Sequence, residues 1–174
     1  MAIRKYLKWL SLAFTLLLGA CGFHFPGQNT FVLPFQTLYI QSDNVYTPFI
    51  VELKRAVQAA GAQIVATPEE AQLTLHIVAE KMDKKILSLS GAGRVQEYQL
   101  HYVVSFRAFD NAQQEWITPA EIVLQRTFSY EDAQILAKER EELLLQENVR
   151  SDAVQQIVRR LNRARPPLIV QTPQ

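Results

Sequence analysis

The stretch 97–109, Glu97-Tyr98-Gln99-Leu100-His101-Tyr102-Val103-Val104-Ser105-Phe106-Arg107-Ala108-Phe109, decides the fold. Tyr98, Leu100, Tyr102, Val104, Phe106 and Ala108 recur at every second position, and Glu97, Gln99, His101, Ser105 and Arg107 fill the alternate ones. Successive side chains of an extended chain point to opposite sides, so this is a strand with one buried and one wet face. Asp110-Asn111-Ala112 turns the chain back. Trp116 to Tyr130 then supplies a return strand with Ile122, Leu124, Phe128 and Tyr130 on one face. Pro119 has no N–H to give to a ladder, which puts this strand at the sheet margin or makes it irregular.

Working upstream, Leu73, Leu75, Ile77 and Ala79 alternate in a second strand, which continues irregularly toward Leu89 and enters the first through Gly91-Ala92-Gly93. Thr37 to Ser42 is a short strand with Leu38 and Ile40 on one side. Between these two, Thr47-Pro48 starts a helix, Gly61 stops it, and Phe49, Leu53, Val57 and Ala60 form its buried stripe. Thr67-Pro68-Glu69-Glu70 has the pattern of a capping box. Downstream, Glu131 to about Arg165 is rich in Ala, Leu, Glu, Gln and Arg and free of Gly and Pro until Pro166-Pro167. It reads as one long helix, or two with a break near Asn148 to Ser151. Val154, Ile157 and Leu161 mark the expected buried stripe of its second half; Leu136, Leu143 and Leu144 mark that of its first. The expected fold class is α+β: a two-layer sandwich in the order β-α-β-β-β-α, a four-stranded, largely antiparallel or mixed sheet with two helices on one face.

The N-terminus has Arg4, Lys5 and Lys8, an apolar run from Trp9 to Leu18, then Gly19 and Ala20. That is a secretory signal over residues 1–20, about half the roughly 20 apolar residues a membrane span needs. Leu18-Gly19-Ala20-Cys21 resembles a bacterial lipobox, which implies acylation of Cys21, the single cysteine of the chain. Each buried methylene adds about 0.8 kcal/mol, so two or three chains anchor durably where one does not. Gly22, where an Asp would resemble an inner-membrane retention signal, points to the outer membrane. Residues 21–34, with Pro26, Gly27 and Pro34 among Phe23, Phe25 and Phe31, are expected to form an acylated tether, lying on a membrane or partner or packed on its own domain. A single domain over 35–165 and a flexible tail over 166–174 complete the expected organisation.

Removing Arg4, Lys5 and Lys8 takes the basic side chains from 18 to 15 against 17 acidic ones, a formal balance of two negative charges. This argues against a general nucleic-acid binder. His24, His76 and His101 have no companions at ligand spacing, so no metal site is expected. Ser88 and Ser90 beside Gly91 and Gly93 lack the flanks of a nucleophile elbow, and no phosphate loop or other cofactor motif is present. Glu69-Glu70 and Glu141-Glu142 are adjacent helical carboxylates, which face different directions and read as solvated surface rather than a hydrolytic pair. What stands out is basic. Lys81, Lys84 and Lys85 precede the glycine turn, Arg94 follows it, and Lys138 and Arg140 open the long helix. If the strand ends and the helix start share an edge, these cations face a phosphorylated anionic ligand; a solvated basic rim is the plainer account.

Several motifs in order resemble the LptE family of lipopolysaccharide-assembly lipoproteins. They are Cys21-Gly22-Phe23-His24, Ser90 to Leu100, Arg126-Thr127-Phe128-Ser129-Tyr130, Ile135-Leu136-Ala137-Lys138-Glu139, and Asp152 to Ile157 with Arg159-Arg160-Leu161. The resemblance implies a non-enzymatic outer-membrane lipoprotein that plugs the β-barrel LptD and helps deliver lipopolysaccharide to the outer leaflet. It also implies lipopolysaccharide binding through basic positions at the strand turn and helix start. Lys138 matches the second of these directly, while Arg94 is the nearest basic residue to the first, where this chain has Gly91. Lys84, Lys85 and Arg140 complete the expected binding set. An auxiliary lipoprotein of another envelope lipid-transport complex would share the signal and the α+β pattern without requiring these motifs together.

Overall fold

The structure, a computed structural model, describes residues 33–130 and 135–166. The expected signal peptide, the acylation site Cys21, most of the tether and the end of the C-terminal tail lie outside the described residues. Five strands and two helices appear: β1 (Thr37–Gln41), α1 (Pro48–Ala59), β2 (Gln63–Ile64), β3 (Leu73–Leu89), β4 (Val95–Phe109), β5 (Glu115–Ser129) and α2 (Ile135–Arg163). The sheet order is β2-β1-β3-β4-β5, with β1 parallel to β2 and β3 and the remaining pairs antiparallel. The fold class is the expected α+β with a mixed sheet. The additional strand is β2, whose two residues are too few for any alternation to show.

Local chemistry explains the element ends. Thr47 caps α1, its hydroxyl accepting from the Ile50 N–H at 3.2 Å, and Pro48 sits in the first turn where no N–H is needed. The helix ends in a Schellman motif, Gly61 N–H to Gln58 C=O and Ala62 N–H to Val57 C=O, with Gly61 at φ +91°. The capping box expected at Thr67 is absent. Pro68–Glu70 is a single 3-10 turn, and the Thr67 side chain makes no cap bond, because one tight turn does not present the free donors of an α-helix. Between β4 and β5 the Asp110 carboxylate accepts from Ala112 N–H, Gln114 N–H and Trp116 Nε1, and Gln113 adopts φ +61°. Pro119 lies where the register slips, Phe106 pairing with Ala120 but Ala108 with Ile117, on the edge strand. The sheet margin expected from that proline is where β5 lies.

β4 alternates as read: Leu100, Tyr102, Val104, Phe106 and Ala108 are buried. They meet Phe49, Ile50, Leu53 and Val57 of α1 and Val149, Ala153, Val154, Ile157, Val158 and Leu161 of α2 in one core. Leu33, at the end of the segment read as tether, belongs to that core. The three long strands and α2 extend beyond it. At about 3.4 Å per residue the 15 residues of β4 span about 50 Å, and the 29 of α2 span about 44 Å at 1.5 Å each. Only part of that length is filled: β3 is buried at Leu73–Leu75 and Ile77, whereas Ile86, Leu87 and Leu89 are exposed. The structure thus has a packed proximal half and a distal half, formed by the β3–β4 turn, the end of β5 and the start of α2, with little core.

Candidate functional site

α2 is one continuous helix; the break considered at Asn148 to Ser151 does not occur, and Val149 is fully buried there. Its first half is oriented against expectation. Leu136, Leu143 and Leu144, read as a buried stripe, are 77%, 59% and 59% exposed. Lys138 and Glu142 occupy the sheet side instead, their side chains 15% and 20% exposed. The reason lies in the sheet. In-register partners put Lys84, Leu100 and Arg126 in one row and Ile86, Tyr98 and Phe128 in the next, on the helix-facing side. A sheet face carrying Lys84 and Arg126 is matched by helical acids, not by leucines.

The resulting contacts form a small charged and aromatic site. Lys84 Nζ donates to Glu142 Oε2 at 2.7 Å and lies 4.8 Å from the centre of the Tyr98 ring. Tyr98 packs against Phe128 at 5.8 Å and edge-on against Tyr130 at 5.3 Å. Lys138 Nζ donates to Ser129 Oγ and to Glu141 Oε2, both at 2.9 Å. Arg126 pairs with Asp152 at 2.6 Å, joining two of the motifs quoted above. Ser88 Oγ donates to Glu97 Oε2 at 2.7 Å across the strand pair.

All five basic residues of the expected binding set lie at this distal end, so strand ends and helix start do share an edge. They do not share a face. Lys85 is opposite Gln99, on the far side of the sheet from Lys84. Arg140 is exposed on the outer side of α2, two residues from Lys138. Arg94 is exposed in the turn, where its N–H donates to Ser90 Oγ at 3.1 Å and Gly93 takes φ +75°. Among the described residues Lys85, Arg94 and Arg140 have no acidic partner within 4 Å, whereas Lys84 and Lys138 are both engaged. Glu141 and Glu142, read as solvated surface, are the residues the sequence reading missed. The three-residue spacing from Lys138 to Glu141 was the signal available for one of them.

Elsewhere the polar chemistry is structural. Glu80 accepts from Tyr102 at 2.8 Å and from Thr47 Oγ1 at 3.1 Å, tying the sheet to the cap of α1. Burial, reinforced by Glu80, holds the Tyr102 phenol well above its ordinary value. Arg107 Nε donates to His76 Nδ1 at 3.5 Å, a long bond. His101 stands between Asp83 and Gln125 with its buried Nδ1 unpartnered among the described residues. Among the described residues no three His, Cys, Asp or Glu side chains gather as metal ligands, and no helix is long and apolar enough to cross a membrane.

Comparison with known proteins agrees with this architecture. The chain is 29% identical over 157 residues to the LPS-assembly lipoprotein LptE of Pectobacterium atrosepticum, covering 85% of this chain and 84% of that protein. It is 28% identical to the protein of that name in Yersinia enterocolitica, covering 91% and 77%. The solution structure of an uncharacterized lipoprotein B from Nitrosomonas europaea superposes with a TM-score of 0.69 at 37% identity, over 79% of this chain and 88% of that one. The crystal structure of rare lipoprotein B from Shewanella oneidensis shares the fold, with a TM-score of 0.63 at 24% identity, over 71% and 92%. A family model described as LptE, lipopolysaccharide-assembly, matches residues 35–161, most of the chain and nearly all of the described domain, and the chain belongs to the LptE family.

Proposed function

We propose that this protein is a non-enzymatic outer-membrane lipoprotein, anchored through acylated Cys21, that occupies the lumen of the LptD β-barrel and assists assembly of lipopolysaccharide into the outer leaflet. It binds lipopolysaccharide at the distal end through Lys138 and Arg94, with Lys84, Lys85 and Arg140 around them. The observation that carries this reading is the collection of these five cations at the one end of the domain that has almost no core. The names of the relatives support the assembly role. The sheet face opposite the helices supports the lumen: Lys81, Asp83, Lys85, Gln99, Glu121, Gln125 and Thr127 give it mixed, hydrogen-bonding chemistry rather than one apolar patch.

Two measurements test it. The protein is tagged at its C-terminus in a diderm host with its cognate genes and extracted gently from the outer membrane. A stoichiometric, detergent-stable large β-barrel is expected to co-purify, and recovery with inner-membrane transporter subunits alone overturns the plug. The double variant Lys138→Glu with Arg94→Glu removes two charge-assisted contacts and weakens lipopolysaccharide binding by about tenfold or more, with the fold retained by circular dichroism. Unchanged binding removes both residues from the site.

A further inference from the structure

An open sheet has two edge strands, and each offers unpaired N–H and C=O groups to any other strand that meets it. One edge here is β2, only two residues long. The other is β5, 15 residues long, with the apolar run Ile122-Val123-Leu124 at its middle. Tyr130 N–H, just past the end of β5, donates to the Gln96 carbonyl at 2.8 Å, and the register then runs without a slip from Ser129 to Ala120. Backbone groups alternate in direction along an edge strand, so the even-numbered residues of this run bond β4, while Glu121, Val123, Gln125, Thr127 and Ser129 turn their N–H and C=O groups outward. Two of those outward carbonyls are occupied by arginines. Arg126 Nη1 donates to the Gln125 carbonyl at 2.9 Å, and Arg160 Nη2, reaching across from α2, donates to the Glu121 carbonyl at 3.3 Å. Each guanidinium has a second hold: Arg126 on Asp152 at 2.6 Å, and Arg160 over the Phe106 ring, 5.4 Å from its centre. Beyond Glu121, Pro119 has no N–H to offer and the register slips beside it.

We infer that Arg126 and Arg160 guard the β5 edge, keeping this protein a single copy by denying the Glu121 and Gln125 carbonyls to the β5 strand of a second copy. The excluded partner is a second copy because the edge is its own complement. Two β5 strands running antiparallel about Val123 set Val123 against Val123 and Glu121 against Gln125. Between the guards, every new hydrogen bond of that pairing except the central pair accepts at a guarded carbonyl. An incoming backbone N–H is a neutral donor, and it has to displace a charge-assisted one that Asp152 or Phe106 already holds in place. Without the guanidinium the carbonyl holds only water, which strands displace whenever a sheet forms. Arg126, Asp152 and Arg160 all fall in sequence motifs that the anion site leaves unused, and the guard rests on strand register whether or not that site holds.

The test follows the mass of the acylated protein by sedimentation in a neutral detergent of matched density, over a range of protein concentrations. The wild type sediments as one copy throughout. Arg126→Ala with Arg160→Ala strengthens self-association by about tenfold or more, because several backbone hydrogen bonds become available together. Lys54→Ala with Arg55→Ala, the same loss of charge placed on α1, leaves one copy. Val123→Pro separates edge pairing from general stickiness. The Val123 N–H points outward, so proline takes no bond from the β4–β5 ladder but removes the centre of the pairing, and adding it to the Arg126/Arg160 variant restores one copy. The guard is overturned by a wild type that already pairs, by an Arg126/Arg160 variant that stays single, by equal association in the Lys54/Arg55 variant, or by association that survives Val123→Pro. Should the double variant fail to fold by circular dichroism, Arg160→Ala alone, which leaves the Arg126–Asp152 pair in place, is read in its stead. It associates more strongly than the wild type, and an unchanged mass overturns the guard equally.

Discussion

Along α2, Val154, Ile157, Val158 and Leu161 are buried, whereas earlier in the same helix Leu136, Leu143 and Leu144 face solvent and Lys138 and Glu142 face the sheet. Both halves are helical, and both meet β5, the first at Ser129 through Lys138 and the second at the Glu121 carbonyl through Arg160. They differ in what the sheet presents: Val104, Phe106 and Ile122 under the second half, Lys84, Arg126 and the ring of Tyr98 near the first. A helix stripe is buried where the opposing surface is apolar, and its own periodicity does not decide that. The second half holds the domain together. The first half is held to the sheet by the Lys84–Glu142 ion pair and the Lys138–Ser129 hydrogen bond, and its leucines stand exposed.

The largest effect expected from this contrast is on stability. Ile157→Ala removes a fully buried side chain from the centre of the core and is expected to cost about 2 to 5 kcal/mol in chemical denaturation. A loss below about 1 kcal/mol would mean that the second half of α2 is packed no better than the first.

A smaller effect belongs to the seam between sheet and α1. Tyr102→Phe removes one of the two hydrogen bonds to Glu80 and is expected to cost about 1 to 2 kcal/mol near neutral pH. Its pH dependence has a definite sign. Burial and Glu80 hold the folded-state phenol above its ordinary value of 10.0, so its contribution is fully present below about pH 10 and is lost as pH rises above that. Denaturation between about pH 9 and 11 should therefore show a downward slope in the wild type that is shallower in Tyr102→Phe. Equal slopes would remove Tyr102 from the alkaline response.

What was legible in the sequence follows the same division. The alternation of β4, the turn at Asp110, the edge position of β5 from Pro119 and the stripe of Val154, Ile157 and Leu161 all lie where local pattern and tertiary partner agree. β2 was not legible because two residues carry no period. Leu136, Leu143 and Leu144 were misread because helical spacing marks a candidate face without saying what opposes it, and the row Lys84, Leu100, Arg126 is set by strand register, a long-range property. Charge type named Lys84 and Lys138 as candidates, and the three-residue spacing offered the Lys138–Glu141 pair, but the Lys84–Glu142 pair depends on where the helix lies on the sheet, which no local pattern gives.

The smallest expected effect on stability sharpens the contrast most. Leu143→Ser with Leu144→Ser changes two large apolar side chains on the same helix that carries Ile157, yet both already stand mostly in water. Their replacement is expected to shift unfolding by no more than about 0.5 kcal/mol each, and helix propensity accounts for part of that. If these leucines instead serve a partner, as the plug reading requires of some part of the distal end, the cost appears there. The variant should remain folded and lipidated yet be recovered with less barrel in the co-purification described above. A variant that unfolds would show that the first half of α2 contributes core after all. A variant neither less stable nor less retained would show that the exposed leucines lie outside the barrel contact, leaving the charged inner side, with Lys84, Lys138 and their carboxylates, as the working face of this half of the helix.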